Sequence, residues 1–167
     1  ENEYFEMIKN KTAVLIGCSF MFGGIAAETN TSNTDLLYRI GLNLGIAFQL
    51  EDDLLDCFGD QEKFGKKIGG DILEKKKTLL YLFTYSKLES EKKLEFENIF
   101  NSNEIEESEK INSIKSFYET SGALEYLKNK VKVYFNEAEM LIDKLELDND
   151  IKKKLNLFCK TLLNREI

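Results

Sequence analysis

Histidine, proline and tryptophan are absent from the 167 residues. Without histidine there can be no Ser-His-Asp triad, no imidazole general base and no histidine-ligated zinc. Chemistry must then come from carboxylates, lysine, tyrosine, hydroxyls, thiols or a metal held by oxygen. Without proline, and with only 10 glycines, little in the chain interrupts long helices. The three cysteines, Cys18, Cys57 and Cys159, are odd in number, far apart and form no CxxC pair. They read as free thiols in a reducing, cytoplasmic setting.

An excess of basic charge is also missing. The net charge is −7, from 23 basic and 30 acidic residues, and the isoelectric point is near 4.9. A nucleic-acid partner, which calls for a basic patch or stripe, is not expected. No apolar run is long enough to span a bilayer, which takes about 18–20 residues. The nearest approach, TAVLIGCSFMFGGIAA at 12–27, is uncharged, and its LIGC segment is similar to a lipoprotein cleavage box. The residues before it, ENEYFE, are acidic where a signal peptide is basic. The expectation is a buried core helix with no stable membrane insertion.

What is present is an apolar, aromatic and helical chain. Apolar residues make up 43% of it, with 12 Phe and 7 Tyr, enough to fill a core. The spacing predicts a helix from Tyr4 to about Ala27, whose small residues (Gly17, Ser19, Gly23, Gly24) permit close approach of a neighbour. A second helix should follow an N-cap at Asn33 or Thr34 and run to Cys57 or Phe58. Gly59–Asp71 reads as a loop with four of the ten glycines. A third helix is expected from Asp71 through TLLYLFTYSKL, then shorter helices at 91–101 and 104–119. A long helix opens at Gly122 and runs to about Leu147, and a last one covers Asn149–Asn164. The fold class is all-α. A single domain or half-domain is expected, with the catalytic helices and lysine loop in 1–88 and charged amphipathic outer helices in 89–167.

The chemistry gathers in LGIAFQLEDDLLDCFGD, residues 44–60. Asp52, Asp53 and Asp56 form a DDxxD pattern at the end of an apolar helix, and Asp52 and Asp56 lie about 40° apart on it. Carboxylates crowded on one face repel unless a cation sits among them. Mg²⁺, a hard ion that shares its oxygen ligands with phosphorylated substrates, suits them. A solvated acidic helix end is the plainer reading, but Leu44, Ile46, Ala47, Phe48, Leu50, Leu54 and Leu55 surround the acids with apolar residues. The loop beyond supplies Lys63, Lys66 and Lys67, then Lys75, Lys76 and Lys77, six lysines within fifteen residues. Acids, metal and lysines together describe a diphosphate site; the lysines by themselves read equally well as a solvated basic loop.

These motifs resemble the trans-isoprenyl diphosphate synthases, the polyprenyl synthetases. FQLEDDLLD is similar to that family's second aspartate-rich motif, GKKIGGDILEKKKT to its downstream lysine segment, and KTAVL from Lys11 to its Lys-Thr helix. The resemblance implies an isoprenoid-synthase helical bundle and an enzyme that condenses an allylic diphosphate with isopentenyl diphosphate into a longer linear product. It implies Asp52 as leading Mg²⁺ ligand, with Asp53 and Asp56 as direct or water-mediated partners. Lys11 and Lys66 would grip the allylic diphosphate, with Lys76 assisting. Thr12 and Gln49 would stabilise the carbocation or shape the diphosphate pocket, and Phe48 would line the prenyl channel. Diphosphate leaves, isopentenyl diphosphate attacks the allylic cation, and diphosphate takes the proton. The family's first aspartate-rich motif has no counterpart here, so the chain resembles the C-terminal half. The resemblance therefore implies an inactive fragment alone, and a homodimer or assembly with the missing N-terminal half. Two alternatives remain: a non-catalytic regulatory subunit that dimerises with a complete synthase, and a terpene synthase of the same fold.

Overall fold

The computed structural model describes residues 1–60 and 68–163, and every regular element among them is helical. Helix α1 (Asn2–Ile8) leads into a π-helical turn (Lys9–Ala13) and α2 (Val14–Ala26); α3 spans Thr31–Phe58. Then come α4 (Gly70–Leu73), α5 (Leu79–Lys87), α6 (Ser90–Asn101), α7 (Glu107–Thr120), α8 (Ala123–Asp143) and α9 (Asn149–Leu163). These residues divide into two compact units. One comprises Asn2–Glu51 with residues 130–163, and the other comprises Glu1 with Asp52–Asn129.

In the first unit α2 and α3 form an antiparallel pair at near backbone contact. A β-carbon on Gly45 would lie 2.5 Å from the Ala13 Cα, and one on Gly41 would lie 2.7 Å from the Gly17 Cα. Only glycine permits that separation. Gly17 and Gly24 of the first helix thus do what their pattern predicts, whereas Ser19 and Gly23 face solvent and no neighbour approaches Gly23. The helix is not buried all round, however. Leu15, Phe22 and Ile25 are 72%, 61% and 54% exposed. The uniform apolarity of α2 concealed this, because nothing in it marks the face that lacks a neighbour.

Helix α3 begins earlier than expected. Its cap is Asn30, whose Oδ1 accepts the Asn33 N–H at 2.8 Å; neither Asn33 nor Thr34 is the N-cap. Asn33 is instead buried and engages the main chain of Glu146, accepting its N–H at 2.9 Å and donating to its carbonyl at 3.4 Å. That bond takes the Glu146 N–H out of the helical pattern. Helix α8 accordingly ends at Asp143 through three-residue turns, Lys144 N–H to Leu141 and Leu145 N–H to Ile142, rather than at Leu147. The core of this unit joins Ile40, Leu44 and Ala47 of α3 to Ala138, Leu141 and Ile142 of α8, with Leu145 and Cys159.

The second unit holds an aromatic core in which α7 packs on α4, α5 and α6. Tyr81, Phe96, Phe100 and Tyr118 are all buried. Tyr81 and Tyr85 stack at 6.0 Å, a packing arrangement as their helical spacing implied. The single third helix expected from the sequence is two helices here. Lys75, at φ +55°, breaks the path, and its Nζ donates to the Asn101 carbonyl at 2.7 Å and to Asn103 Oδ1 at 2.6 Å. Lys110, which is buried, also donates to the end of this helix, to the Ser102 carbonyl at 2.9 Å. Two ammonium groups thus close the C-terminus of α6, where the helix dipole favours cations. Burial, reinforced by Lys75, holds the Lys110 amine below the usual lysine range. The carboxylate of Glu106 caps α7 by accepting the Ser108 and Glu109 N–H groups, which delays that helix to Glu107.

Candidate functional site

In the first unit, the π-helical turn carries Lys11 and Thr12. A π turn inserts an extra residue into the helix and rotates the residues after it, and such turns recur at functional sites. Nothing in the residue pattern KNKTA announces it. The Thr12 hydroxyl donates to Gln49 Oε1 at 2.9 Å, made possible by the close approach of Ala13 to Gly45 one turn away. Phe48, beside Gln49, packs against the α3–α8 core, and Lys11 is exposed. Thr12 and Gln49 are therefore brought together on adjoining turns of two helices, whereas Phe48 turns into the core cluster.

In the second unit, the last two turns of α3 carry the acids. Asp53 is buried at 5% exposure, while Asp52 and Asp56 are half-buried. Their neighbours Leu54, Leu55 and Cys57 are all buried, so the acids do not sit on a solvated helix end. The Asp56 carboxylate accepts the Asp71 N–H through Oδ2 at 2.8 Å. Desolvation nevertheless outweighs that bond and raises the Asp56 carboxyl above its ordinary range. Lys76 is bound by two carboxylates, Asp71 and Glu74, each at 2.8 Å. The hydrogen bond to Asp71, then that to Glu74, pushes its amine well up. Burial pushes the Cys57 thiol so far up that it is no nucleophile at neutral pH. All three cysteines are free, with Cys18 only half-buried. Lys66, and with it Lys63 and Lys67, lies outside the described residues.

Among the described residues no three acidic or thiol side chains converge closely enough to hold a metal ion. The donor set still fits Mg²⁺, which takes one or two carboxylates and completes its shell with water and substrate phosphate instead of an all-protein cage. The donors are all carboxylate oxygens, with Asp52 half-buried and Asp53 buried, and a hard cation would offset the cost of holding those charges out of water.

Comparison with known proteins decides the family. The model of the polyprenyl synthetase family matches residues 1–119. The chain belongs to the polyprenyl synthetase family. It is 48% identical over 95 residues to a geranylgeranyl diphosphate synthase of Saccharolobus solfataricus, covering 56% of this chain and 29% of that protein. A crystal structure of a geranylgeranyl pyrophosphate synthase superposes with TM-score 0.90 at 38% identity, over 99% of this chain and 52% of the other. Polyprenyl synthase of Caulobacter crescentus, solved with calcium and isoprenyl diphosphate, gives TM-score 0.86 at 30% identity over 98% of this chain and 49% of its own. The all-helical polyprenyl synthetase fold is thereby shown, and the chain spans about half the length, or less, of the curated relatives it matches. No helix among the described residues is long and apolar enough to cross a membrane.

Asp71 does not stand out as a functional residue in the sequence of this polyprenyl synthetase chain, where it marks only the start of a helix. In the structure its N–H meets Asp56 and its carboxylate meets Lys76. The Gly-Gly-Asp run was the available signal, since two glycines ahead of an acid allow the main chain to come close to another side chain.

Proposed function

We propose that this chain is the second half of a prenyltransferase site that joins an allylic diphosphate to isopentenyl diphosphate, lengthening a linear isoprenyl diphosphate. The observation that carries the reading is the Thr12–Gln49 hydrogen bond. It ties the Lys-Thr motif to the Phe-Gln ahead of the acids, 37 residues away in sequence, and family membership gives that pairing its chemical sense.

Each residue has a role. Asp52 leads in holding Mg²⁺, with Asp53 as a direct or water-mediated partner, and Asp56 stands one turn beyond, bonded to the Asp71 N–H. Bound there, the ion would supply positive charge to the departing diphosphate. Lys11 and Lys66 grip the allylic diphosphate as point charges, and Lys76, fixed by Asp71 and Glu74, assists. The Thr12 hydroxyl and Gln49 carbonyl are dipoles fixed before substrate arrives, suited to a developing allylic cation because they need no reorganisation. Phe48 lines the prenyl channel. Diphosphate itself accepts the proton lost in the condensation, so no histidine is required. The first acidic motif is supplied from outside these 167 residues, and the chain alone does not turn over.

Calorimetric titration with an allylic diphosphate, with and without Mg²⁺, tests this. Binding should require Mg²⁺ and fall below detection in Asp52→Ala. Binding that persists without the metal, or undiminished in the variant, overturns it.

A second reading, a non-catalytic subunit that dimerises with a complete synthase, is favoured by the exposed Leu15, Phe22 and Ile25 face of α2, an apolar stripe suited to another polypeptide. Co-purification with a full-length synthase, abolished by charged substitutions at those three positions, would support it over the first.

A further inference from the structure

Asp56 makes two bonds to one short segment of chain. Its main-chain carbonyl accepts the Gly69 N–H at 2.6 Å, and its carboxylate accepts the Asp71 N–H at 2.8 Å. Between those two amides lies Gly70, where a β-carbon would come within 3.0 Å of Asp56 Oδ1. Gly69 itself adopts φ +83° and sits against Ile111 so closely that a β-carbon would lie 2.7 Å from it. The main chain of 69–71 is therefore fixed from two sides, by Ile111 and by Asp56.

That fixing determines the placement of Lys76. The Asp71 carboxylate accepts the Lys76 Nζ at 2.8 Å, and the Asp71 carbonyl accepts the Lys76 N–H at 2.9 Å. Glu74 Oε2 holds the same ammonium at 2.8 Å. The path is continuous: Asp56 sets the amide of Asp71, Asp71 sets Lys76, and Lys76 keeps 53% of its side-chain surface in solvent, open to an anion. A carboxylate oxygen already accepting a main-chain N–H is also a poorer direct ligand than one facing solvent.

We propose that Asp56 is a positioning residue, a clamp on residues 69–71 that orients Asp71 and Lys76, and not a direct metal ligand. The proposal rests on the metal–diphosphate reading above and separates the third acid of the motif from the first.

Asparagine at position 56 keeps an oxygen to accept the Asp71 N–H and loses the charge a metal needs; alanine loses both. Two measurements on the whole chain use that difference. The first is Mg²⁺-dependent binding of inorganic diphosphate. Asp56→Ala should weaken it by roughly tenfold, the effect of losing one well-placed hydrogen bond. Asp56→Asn should restore it to within about threefold of the parent, while Asp52→Ala removes it. Equal loss in Asp56→Asn and Asp56→Ala would make Asp56 a ligand and overturn the proposal. The second is amide hydrogen exchange at Asp71 with the rate of Lys76 acetylation by a small reagent. Both should rise in Asp56→Ala and stay at parental values in Asp56→Asn. If the parent binds no diphosphate, the functional reading fails, and this second measurement still decides the clamp: unchanged rates in Asp56→Ala would sink it.

Discussion

Gly45→Ala is expected to destabilise the chain by about 2 kcal/mol. In an exposed helix the change would stabilise, since alanine is better than glycine by up to about 1 kcal/mol. Here the new methyl would stand 2.5 Å from the Ala13 Cα and 2.9 Å from its Cβ. Carbon atoms settle at about 3.5–4.0 Å, and the obstacle is main chain that cannot rotate away. The π turn and α3 must therefore move apart by roughly an ångström, an overpacking cost of about 1–3 kcal/mol or somewhat more. The Thr12–Gln49 bond, one turn along and 2.9 Å long, does not survive that movement. Gly23→Ala is the control, because nothing lies within 4 Å of a β-carbon there; it should be neutral or stabilising. Urea denaturation followed by circular dichroism reads both variants. A Gly45→Ala chain as stable as the Gly23→Ala chain would show that the two backbones have slack.

That crossing also shows where sequence reasoning succeeds and where it stops. Gly17 and Gly24 of the first helix and the apolar helix ending in Asp52, Asp53 and Asp56 follow from local spacing, and both are found in place, with α3 ending at Phe58 as expected. Motif order sufficed to name the family, because ordered motifs survive without any three-dimensional information. The exposed side of α2 was illegible: a helix apolar all round carries no sign of which face lacks a neighbour. The N-cap falls at Asn30, because Asn33, a good capping residue, is taken by Glu146, 113 positions away. Lys75 reads in sequence as one of the anion-binding lysines but closes the end of α6; a lysine's charge is written in the sequence, and its partner is not. The π turn under Lys11 and Thr12 has no compositional signature at all.

Phe96→Ala should have the largest effect on stability, about 3–5 kcal/mol. Phe96 is fully buried. Its ring centroid lies 5.1 Å from Tyr81, 5.3 Å from Phe117, 5.9 Å from Phe100 and 6.3 Å from Tyr118. These partners come from α5, α6 and α7, so one ring joins three helices, and its removal leaves a cavity that none of them can close alone. Against a usual domain stability of about 5–15 kcal/mol, the loss is a large share. Phe96→Leu, which keeps more of the volume, should cost distinctly less. Phe158→Ala, at a ring 51% exposed, should cost about 0.5 kcal/mol or a little more. The same unit holds Asp52, Asp53, Asp56, Asp71 and Lys76, and α7 packs directly on α4. Loosening the aromatic core therefore loosens the support of Asp71. In chemical denaturation Phe96→Ala should shift the midpoint far below the parent, and its Asp71 amide should exchange faster even in buffer where the chain is still folded. A lowered midpoint with parental Asp71 exchange would instead place α4 outside the cooperative core, supported by Asp56 and Ile111 alone, and an unchanged midpoint would overturn the stability prediction.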